Sequence, residues 1–163
     1  MKKAIYPGTF DPITLGHLDI IRRASTLVDQ LEVVIMRNPN KSNSDFSVEE
    51  RLEMISSVIQ EFNNVTVSAQ TGLTVEYAKV SGASILIRGI RAVMDYEYEL
   101  QQATANMVLA SNIETVFLLT RPQYSFLSSS VVKQIAQNKG DLAPFVPAKV
   151  KELIERKYKT SKI

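Results

Sequence analysis

The chain has 163 residues, of which 45% are hydrophobic and 22% charged, with a net charge of +2. These values are ordinary for one globular domain spanning residues 1–163, and the weak net charge argues against a non-specific nucleic-acid binder. The chain has no cysteine and one histidine, which excludes disulfides, thiolate metal sites, thiol nucleophiles and histidine-rich metal sites. Because no apolar run suits a signal peptide or a membrane span, we expect a cytoplasmic protein without a membrane partner.

Apolar runs and turn signals predict five strands that alternate with helices. We expect strands at residues 3–6, 31–36, 65–68, 83–87 and 115–119. We expect helices at residues 14–27, 47–62, 73–80, 94–110, 128–138 and 147–157, and a frayed tail at 159–163. This alternation predicts an α/β fold: a single-domain, Rossmann-like, doubly wound five-stranded parallel sheet with helices on both faces.

The segment at residues 4–17 predicts a strand, a Pro-Gly turn and the opening of a helix. Thr14 is suited to be the N-cap of that helix, because its hydroxyl can accept a backbone N–H of the first turn. His17 then lies in the first turn, where free N–H groups and the helix dipole attract anions. Gly16 lets a ligand approach the backbone. The segment therefore predicts a phosphate cradle containing one imidazole, although a histidine held only for structure is the alternative.

Other polar residues follow the predicted strands, and ligands in such sheets bind beyond the carboxyl ends of the strands. Lys41 follows the second strand, and Arg88 and Arg91 follow the fourth, where we expect Gly89 to let the backbone turn sharply. A solvated lysine and a structural ion pair of Arg88 with a carboxylate are the alternatives. Serines 128–130 open a helix after the fifth strand and predict a second anion cradle, with one serine as the N-cap.

The patterns of other nucleotide sites are missing from the chain. It has neither a G-x-G-x-x-G fingerprint nor a Walker lysine pattern, so a nicotinamide or flavin cofactor is not expected. Two anion cradles with three basic residues are typical of a polyphosphate site. Phosphoryl or nucleotidyl transfer depends mainly on positioning and electrostatic stabilisation, so it needs no protein nucleophile.

Five strings of residues carry a resemblance to a known family: YPGTFDPITLGH at 6–17, NPNK at 38–41, EER at 49–51, ILIRGIRAVMDYEYE at 85–99 and SFLSSSVVK at 125–133. Over residues 3–155 the chain resembles the bacterial phosphopantetheine adenylyltransferases of the T/H-x-G-H nucleotidyltransferase superfamily. The resemblance implies transfer of AMP from Mg-ATP to 4′-phosphopantetheine, giving dephospho-CoA and pyrophosphate. It implies that Mg²⁺ arrives with ATP and that the protein itself holds no metal.

The resemblance also implies roles for individual residues. His17 would stabilise the transition state, with Lys41 and Arg91 completing the catalytic set. The acceptor would contact Thr9, Lys41, Thr74 and Arg88. ATP would contact Thr9, Phe10, His17, Gly89, Ile90, Arg91, Glu99, Tyr124, Ser125, Phe126, Leu127, Ser128, Ser129 and Ser130. The family implies a homohexamer that coenzyme A inhibits.

Two other functions fit parts of the pattern. One is a related nucleotidyltransferase whose acceptor is nicotinamide mononucleotide or glycerol 3-phosphate. The other is a module that binds ATP or coenzyme A without catalysing a reaction. For Glu99 a solvated helix face, and for Tyr124 and Phe126 simple packing, are the structural alternatives.

Overall fold

The computed structural model describes residues 1–37 and 44–160. Its strands are β1 (Lys3–Gly8), β2 (Gln30–Arg37), β3 (Val65–Thr71), β4 (Ile85–Ile90) and β5 (Glu114–Leu119). They form one parallel sheet in the order β3-β2-β1-β4-β5. The predicted doubly wound α/β sheet is therefore confirmed.

Helices cover both faces of this sheet. They are α1 (Leu15–Ser25), α2 (Val48–Ile59), α3 (Thr74–Ser81), α4 (Val93–Leu109), α5 (Ser129–Gln137) and α6 (Ala148–Thr160). Helices α1, α2, α5 and α6 contribute to the larger apolar core on one face, and α3 packs into a smaller core on the other. Within the described ranges, no helix has the length and apolar character needed to span a membrane.

Local sequence signals fix several of these helix ends. Thr14 and Ser47 are the N-caps of α1 and α2, and both helices open with a capping box. Gly82 ends α3 in the left-handed conformation (φ 73°) that glycine adopts without steric cost. Ser128 caps α5 by accepting the N–H of Val131, so one member of the serine run is the expected cap.

The prediction for Gly89 is wrong. Strand β4 continues past the predicted end at residue 87 to Ile90, and Gly89 pairs with Leu118 of β5 rather than turning the chain. A Cβ atom on Gly89 would lie 3.3 Å from Cγ1 of Ile20 in α1. The glycine therefore lets α1 pack closely on the sheet.

Several other boundaries differ from the prediction, some by extension and some by shortening. Strand β3 runs to Thr71 because its polar end pairs with β2 through Arg37. Helices α1 and α2 end at Ser25 and Ile59, earlier than predicted. Helix α6 includes residues 159 and 160 of the predicted frayed tail, and residues 161–163 lie outside the described ranges.

The register of the two central strands opens a cleft. Strands β1 and β4 pair only through Ala4 with Ile85 and Ile5 with Leu86, although β1 continues to Gly8 and β4 continues for four more residues. The chain also reverses its winding direction between these two strands. Their carboxyl ends therefore separate at the topological switch point, where ligands of α/β sheets bind.

Candidate active site

Two cavities flank the separated ends of β1 and β4. The first, the His17 cavity, has a volume of about 210 Å³, and the second, the Arg88 cavity, about 240 Å³. Predicted site residues line both: Gly16, His17, Gly89, Arg91, Tyr124, Leu127, Ser128 and Ser129 in the His17 cavity, and Thr74, Arg88 and Glu99 in the Arg88 cavity. Arg88 and Gly89 are adjacent in β4 but line different cavities, so the two cavities lie side by side.

A larger cavity of about 640 Å³ lies between α5 and α6, next to Ala136 and Tyr158. None of the predicted site residues lines it. We place the site at the two smaller cavities, because the basic groups and helix N-termini that bind phosphate converge there.

The imidazole of His17 is fixed by the cap of its own helix. Its Nδ1 accepts the backbone N–H of Thr14 at 3.0 Å and lies 3.1 Å from the Thr14 hydroxyl. The N–H of His17 in turn donates to that hydroxyl. These contacts assign the proton of the neutral ring to Nε2, the nitrogen left to donate to a ligand.

The cradle around His17 has fewer free N–H groups than the sequence analysis expects. The N–H of Leu15 donates to the carbonyl of Phe145 at 2.9 Å, and the N–H of His17 is taken by the cap. In the first turn of α1, Gly16 keeps an N–H without an acceptor among the described residues. The imidazole is therefore the principal donor that α1 offers.

The surroundings of His17 lower its pKa to about 4. Burial is the largest cause, followed by the positive charges of Arg91 and Arg88, all of which disfavour the imidazolium. The N-terminus of α1 acts in the same direction, because the helix dipole also disfavours a positive charge there. The ring is therefore neutral above about pH 5 in the unliganded protein.

An NMR titration can check the low pKa of His17. Because His17 is the only histidine, its Cε1–H resonance in a ¹³C-histidine-labelled sample needs no assignment. We expect a titration midpoint near pH 4, against 6.5 for a histidine in water. The variant Arg91→Met removes one charge that opposes protonation and should move the midpoint upward. A midpoint of 6 or higher in the unsubstituted protein would contradict this description of the site.

The loop after β1 is held against the site by contacts from two helices. Phe10 has a positive φ of 48°, and its ring meets the His17 ring edge-on with the centroids 5.1 Å apart. A Cβ atom on Gly8 would come within 2.9 Å of that ring, so only glycine leaves room for it. Arg51 of α2 donates to the carbonyl of Thr9 at 2.9 Å.

Asp11, for which the sequence predicts no role, is 5% exposed. Its carboxylate accepts the N–H groups of Asp45 and Phe46 and the ammonium of Lys133. It thereby joins the loop after β1 to the start of α2 and to α5. Asp11 and Lys133 both lie inside the quoted motifs, but their pairing spans 122 residues and has no local signal.

Arg91 is oriented by a second residue that the sequence analysis missed. Its guanidinium bonds to the carboxylate of Asp95 in the first turn of α4, and it also donates to the carbonyl of Leu127. The spacing of four residues between Arg91 and Asp95 is a signal that could have identified the pair. These contacts hold a positive charge at the wall of the His17 cavity.

The serine run predicted to form a second anion cradle opens α5 beside the His17 cavity. Ser128 and Ser129 line the His17 cavity, and the hydroxyl of Ser129 donates to the carbonyl of Pro12. The two hydroxyls therefore also fix the helix in place. The N-terminus of α5 and the first turn of α1 line the same cavity.

Arg88 forms the ion pair that the sequence analysis holds as an alternative. Its guanidinium donates two hydrogen bonds to the Glu99 carboxylate, at 2.6 and 2.5 Å, and a third to the carbonyl of Pro7. Glu99 is 9% exposed, so it holds Arg88 firmly at the cavity wall. Two N–H groups of Arg88 stay available to a ligand, because its five donors exceed these three bonds.

The remaining predicted site residues do not all lie at the cavity where they are expected. Glu99, predicted to contact ATP, lies at the Arg88 cavity, and Ile90 is 6% exposed in the sheet. Phe126 is 59% exposed and meets Phe145 edge-on. Thr9, Ser125 and Ser130 are exposed at the surface, and Lys41 lies outside the described residues.

Residues 1–37 and 44–160 contain no group of three or more His, Asp or Glu side chains that could hold a metal ion. The chemistry that this protein's own residues offer is anion binding: two arginines, one imidazole and two helix N-termini. Such groups stabilise negative charge on phosphates without forming a covalent bond.

The chain is similar in sequence to proteins of known families. Residues 5–135 match the model of the cytidylyltransferase-like family. The phosphopantetheine adenylyltransferase of Alkaliphilus metalliredigens is 50% identical over 157 residues, which cover 96% of this chain and 99% of the relative. That of Gloeothece citriformis is 54% identical over 155 residues, covering 95% and 98%.

A solved structure supports the fold at lower sequence identity. The nicotinic acid mononucleotide adenylyltransferase of Plasmodium falciparum, complexed with NaAD, superposes with a TM-score of 0.72 at 15% identity, covering 96% of each chain. The family match and the relatives together decide the classification: the chain belongs to the cytidylyltransferase-like family and, within it, to the phosphopantetheine adenylyltransferases.

Proposed function

We propose that this protein transfers AMP from Mg-ATP to 4′-phosphopantetheine, giving dephospho-CoA and pyrophosphate in the penultimate step of coenzyme A synthesis. The observation that carries the proposal is the pair of cavities beside the separated ends of β1 and β4. His17 and Arg91 line one, and Arg88 lines the other. Relatives about half identical to the chain carry the name of this enzyme.

In this proposal the two substrates approach each other from the two cavities. ATP occupies the His17 cavity, with its phosphates toward Arg91 and the N-terminus of α5. The phosphate of phosphopantetheine meets Arg88, and its arm extends toward Thr74. Lys41 and Thr9, which the resemblance assigns to the acceptor, stay predictions.

The proposed reaction is one displacement at the α-phosphorus. An oxygen of the acceptor phosphate forms a bond to that phosphorus, and the bond to the bridging oxygen of pyrophosphate breaks, its electron pair leaving with pyrophosphate. The acceptor is already an anion near neutral pH, so no general base is needed. The Nε2–H of neutral His17 donates to an oxygen whose negative charge grows in the transition state.

Magnesium belongs to the substrate in this proposal. Mg²⁺ usually binds substrate phosphates through few protein ligands, and the described residues supply no carboxylate cluster for it. The protein's part is to position the phosphates with arginines and backbone N–H groups. A cytoplasmic location stays a prediction from the sequence.

Pyrophosphate release from Mg-ATP tests the proposal. The assay compares 4′-phosphopantetheine with nicotinamide mononucleotide and glycerol 3-phosphate, and chromatography identifies the product. We expect release with phosphopantetheine and formation of dephospho-CoA. Release with another acceptor alone would overturn the acceptor assignment. ATP binding without release would favour a sensing module.

We also propose that the protein assembles as a homo-oligomer, with the homohexamer of the resemblance as the expected size. Helix α4 exposes two neighbouring rows of apolar side chains at multiples of seven residues, which places them on one face: Val93, Leu100 and Met107, and Met94 and Val108. Met94 and Val108 are each 83% exposed. Monomers rarely leave such a stripe in water.

Sedimentation at micromolar concentration checks the assembly. We expect a mass about six times that of the chain, and we expect Val108→Lys to shift it to smaller species, because a charge in an apolar interface is costly to bury. Leu27→Lys is the matched control, since Leu27 is also exposed (55%) but lies after α1, on the opposite face of the sheet. A wild-type monomer would contradict the proposal.

Inhibition by coenzyme A fits the same site. Coenzyme A contains the pantetheine arm of the acceptor, so we expect it to compete with phosphopantetheine for the Arg88 cavity. The expected kinetic pattern is competitive inhibition against phosphopantetheine. A pattern in which phosphopantetheine does not relieve inhibition would point to another site.

A further inference from the structure

Tyr6 occupies the place where the central strands separate. It is the first residue of β1 after Ile5, whose partner Leu86 closes the last pair with β4. Its side chain is 5% exposed, lies on the α1 side of the sheet and lines the His17 cavity. Its ring also meets Phe10 edge-on, with the centroids 5.3 Å apart.

The hydroxyl of Tyr6 has no hydrogen-bond partner in the described protein. The hydroxyl is not sealed from solvent. Because Tyr6 lines the His17 cavity, the hydroxyl opens into that cavity. It lies close to the backbone of β4, since a Cβ atom built on Gly89 would be 3.7 Å from it. Buried tyrosine hydroxyls ordinarily find a partner, and here the free direction is the cavity.

Burial keeps the hydroxyl of Tyr6 protonated. Burial raises the pKa of the phenol well above its usual range, and Glu99 raises it further, while Arg88 and Arg91 oppose the shift in part. A protonated phenol with no protein acceptor is a hydrogen-bond donor. The anions expected in this cavity are phosphates.

We propose that the Tyr6 hydroxyl is a further catalytic donor, which hydrogen-bonds to the transferring phosphate beside His17. The proposal rests on the nucleotidyl transfer proposed above. Tyr6 lines the His17 cavity, and the next residue, Pro7, lines the Arg88 cavity. The hydroxyl of Tyr6 therefore lies near the boundary between the two cavities, where the reacting phosphorus must be. The contact is a hydrogen bond throughout, and no proton leaves the phenol.

The variant Tyr6→Phe removes this hydroxyl and keeps the ring. We measure kcat with the acceptor that the wild-type protein uses. We expect this kcat to fall by about 10- to 100-fold, the lower part of the range for losing one hydrogen-bond donor to the transition state. The KM for ATP should change by less than about threefold, because the contact strengthens as charge develops. The melting temperature should stay the same or rise, since the hydroxyl stabilises nothing in the protein alone.

Tyr77→Phe is the matched control, with the opposite expected result. The hydroxyl of Tyr77 donates to Glu32 at 2.5 Å beneath α3, away from both cavities. Its removal leaves a buried carboxylate without one of its donors. We therefore expect a lower melting temperature and an unchanged kcat.

Two results would overturn the role of Tyr6. One is a Tyr6→Phe kcat within twofold of the wild type, and the other is a loss of kcat accompanied by a drop in melting temperature like that of Tyr77→Phe. If the wild type uses nicotinamide mononucleotide instead of phosphopantetheine, the proposed function fails. The comparison of the two tyrosine variants is then made with that acceptor and still decides the role of Tyr6.

Discussion

Replacing His17 by alanine is expected to lower kcat by about 10²–10³-fold while the affinity for ATP changes little. The side chain lines the cavity in its neutral form and presents Nε2–H, while Nδ1 is already occupied by the cap. A neutral donor contributes most when charge grows on the α-phosphate in the transition state. Steady-state kinetics with both substrates varied, together with calorimetric binding of ATP, would separate the two effects.

Two conservative variants separate chemistry from helix capping. Asparagine at position 17 can replace the Nδ1 acceptor for Thr14 but not the Nε2 donor, so His17→Asn should be as slow as His17→Ala and more stable by about 1 kcal/mol. Glutamine can place an N–H near the position of Nε2, so His17→Gln should recover part of the rate. Turnover within threefold of the wild type in His17→Ala would remove His17 from the mechanism.

Arg88→Lys is expected to lower kcat/KM for phosphopantetheine by about 10²-fold, although the charge is kept. Lysine cannot reproduce two parallel bonds to Glu99 together with a third to Pro7. The ammonium would therefore sit away from the position of the guanidinium, and small misplacements in a site of this kind are costly. The KM for ATP should stay within about threefold.

The free energy of unfolding of Arg88→Lys is a second quantity to measure. Glu99 keeps its charge in a buried position with fewer donors, which we expect to lower the free energy of unfolding by about 1–3 kcal/mol. Arg22→Lys is the matched control, because Arg22 pairs with Glu61 with both side chains more than half exposed. It should change neither activity nor stability. Equal kcat/KM for phosphopantetheine in Arg88→Lys and the wild type would contradict the acceptor role of Arg88.

Much of the site could be predicted from sequence because its signals are local. Thr14 and His17 are three residues apart in one helical turn, and their reciprocal bonds follow from that spacing. A serine cap within residues 128–130 follows from the place of that run before an apolar helical pattern, and the structure identifies it as Ser128. The common edge of the parallel strands then brings these separate segments together.

The contacts that complete the site are long-range and have no such signal. The bond of Asp11 to Lys133 spans 122 residues, and the sequence alone does not reveal a pairing at that distance. Glu99 and Arg88 are only 11 residues apart, but one belongs to a helix and the other to a strand. Their meeting depends on how α4 lies across the sheet.

Strand register explains the two remaining gaps in the sequence analysis. Tyr6 resembles an ordinary core residue of an apolar strand, and only the early end of the β1–β4 pairing shows that it borders a cavity. Gly89 resembles a turn residue, because a glycine after an apolar run usually ends a strand. In the folded chain it pairs with Leu118 and makes room for α1.

AMP is expected to pass directly from one bound substrate to the other, without a covalent protein intermediate. The most direct test uses ATP with a chiral thiophosphate at the α-position and 4′-phosphopantetheine as the acceptor. One in-line displacement predicts thio-dephospho-CoA with inverted configuration at phosphorus. Retention of configuration would require two displacements and therefore an adenylylated protein residue, which would contradict direct transfer.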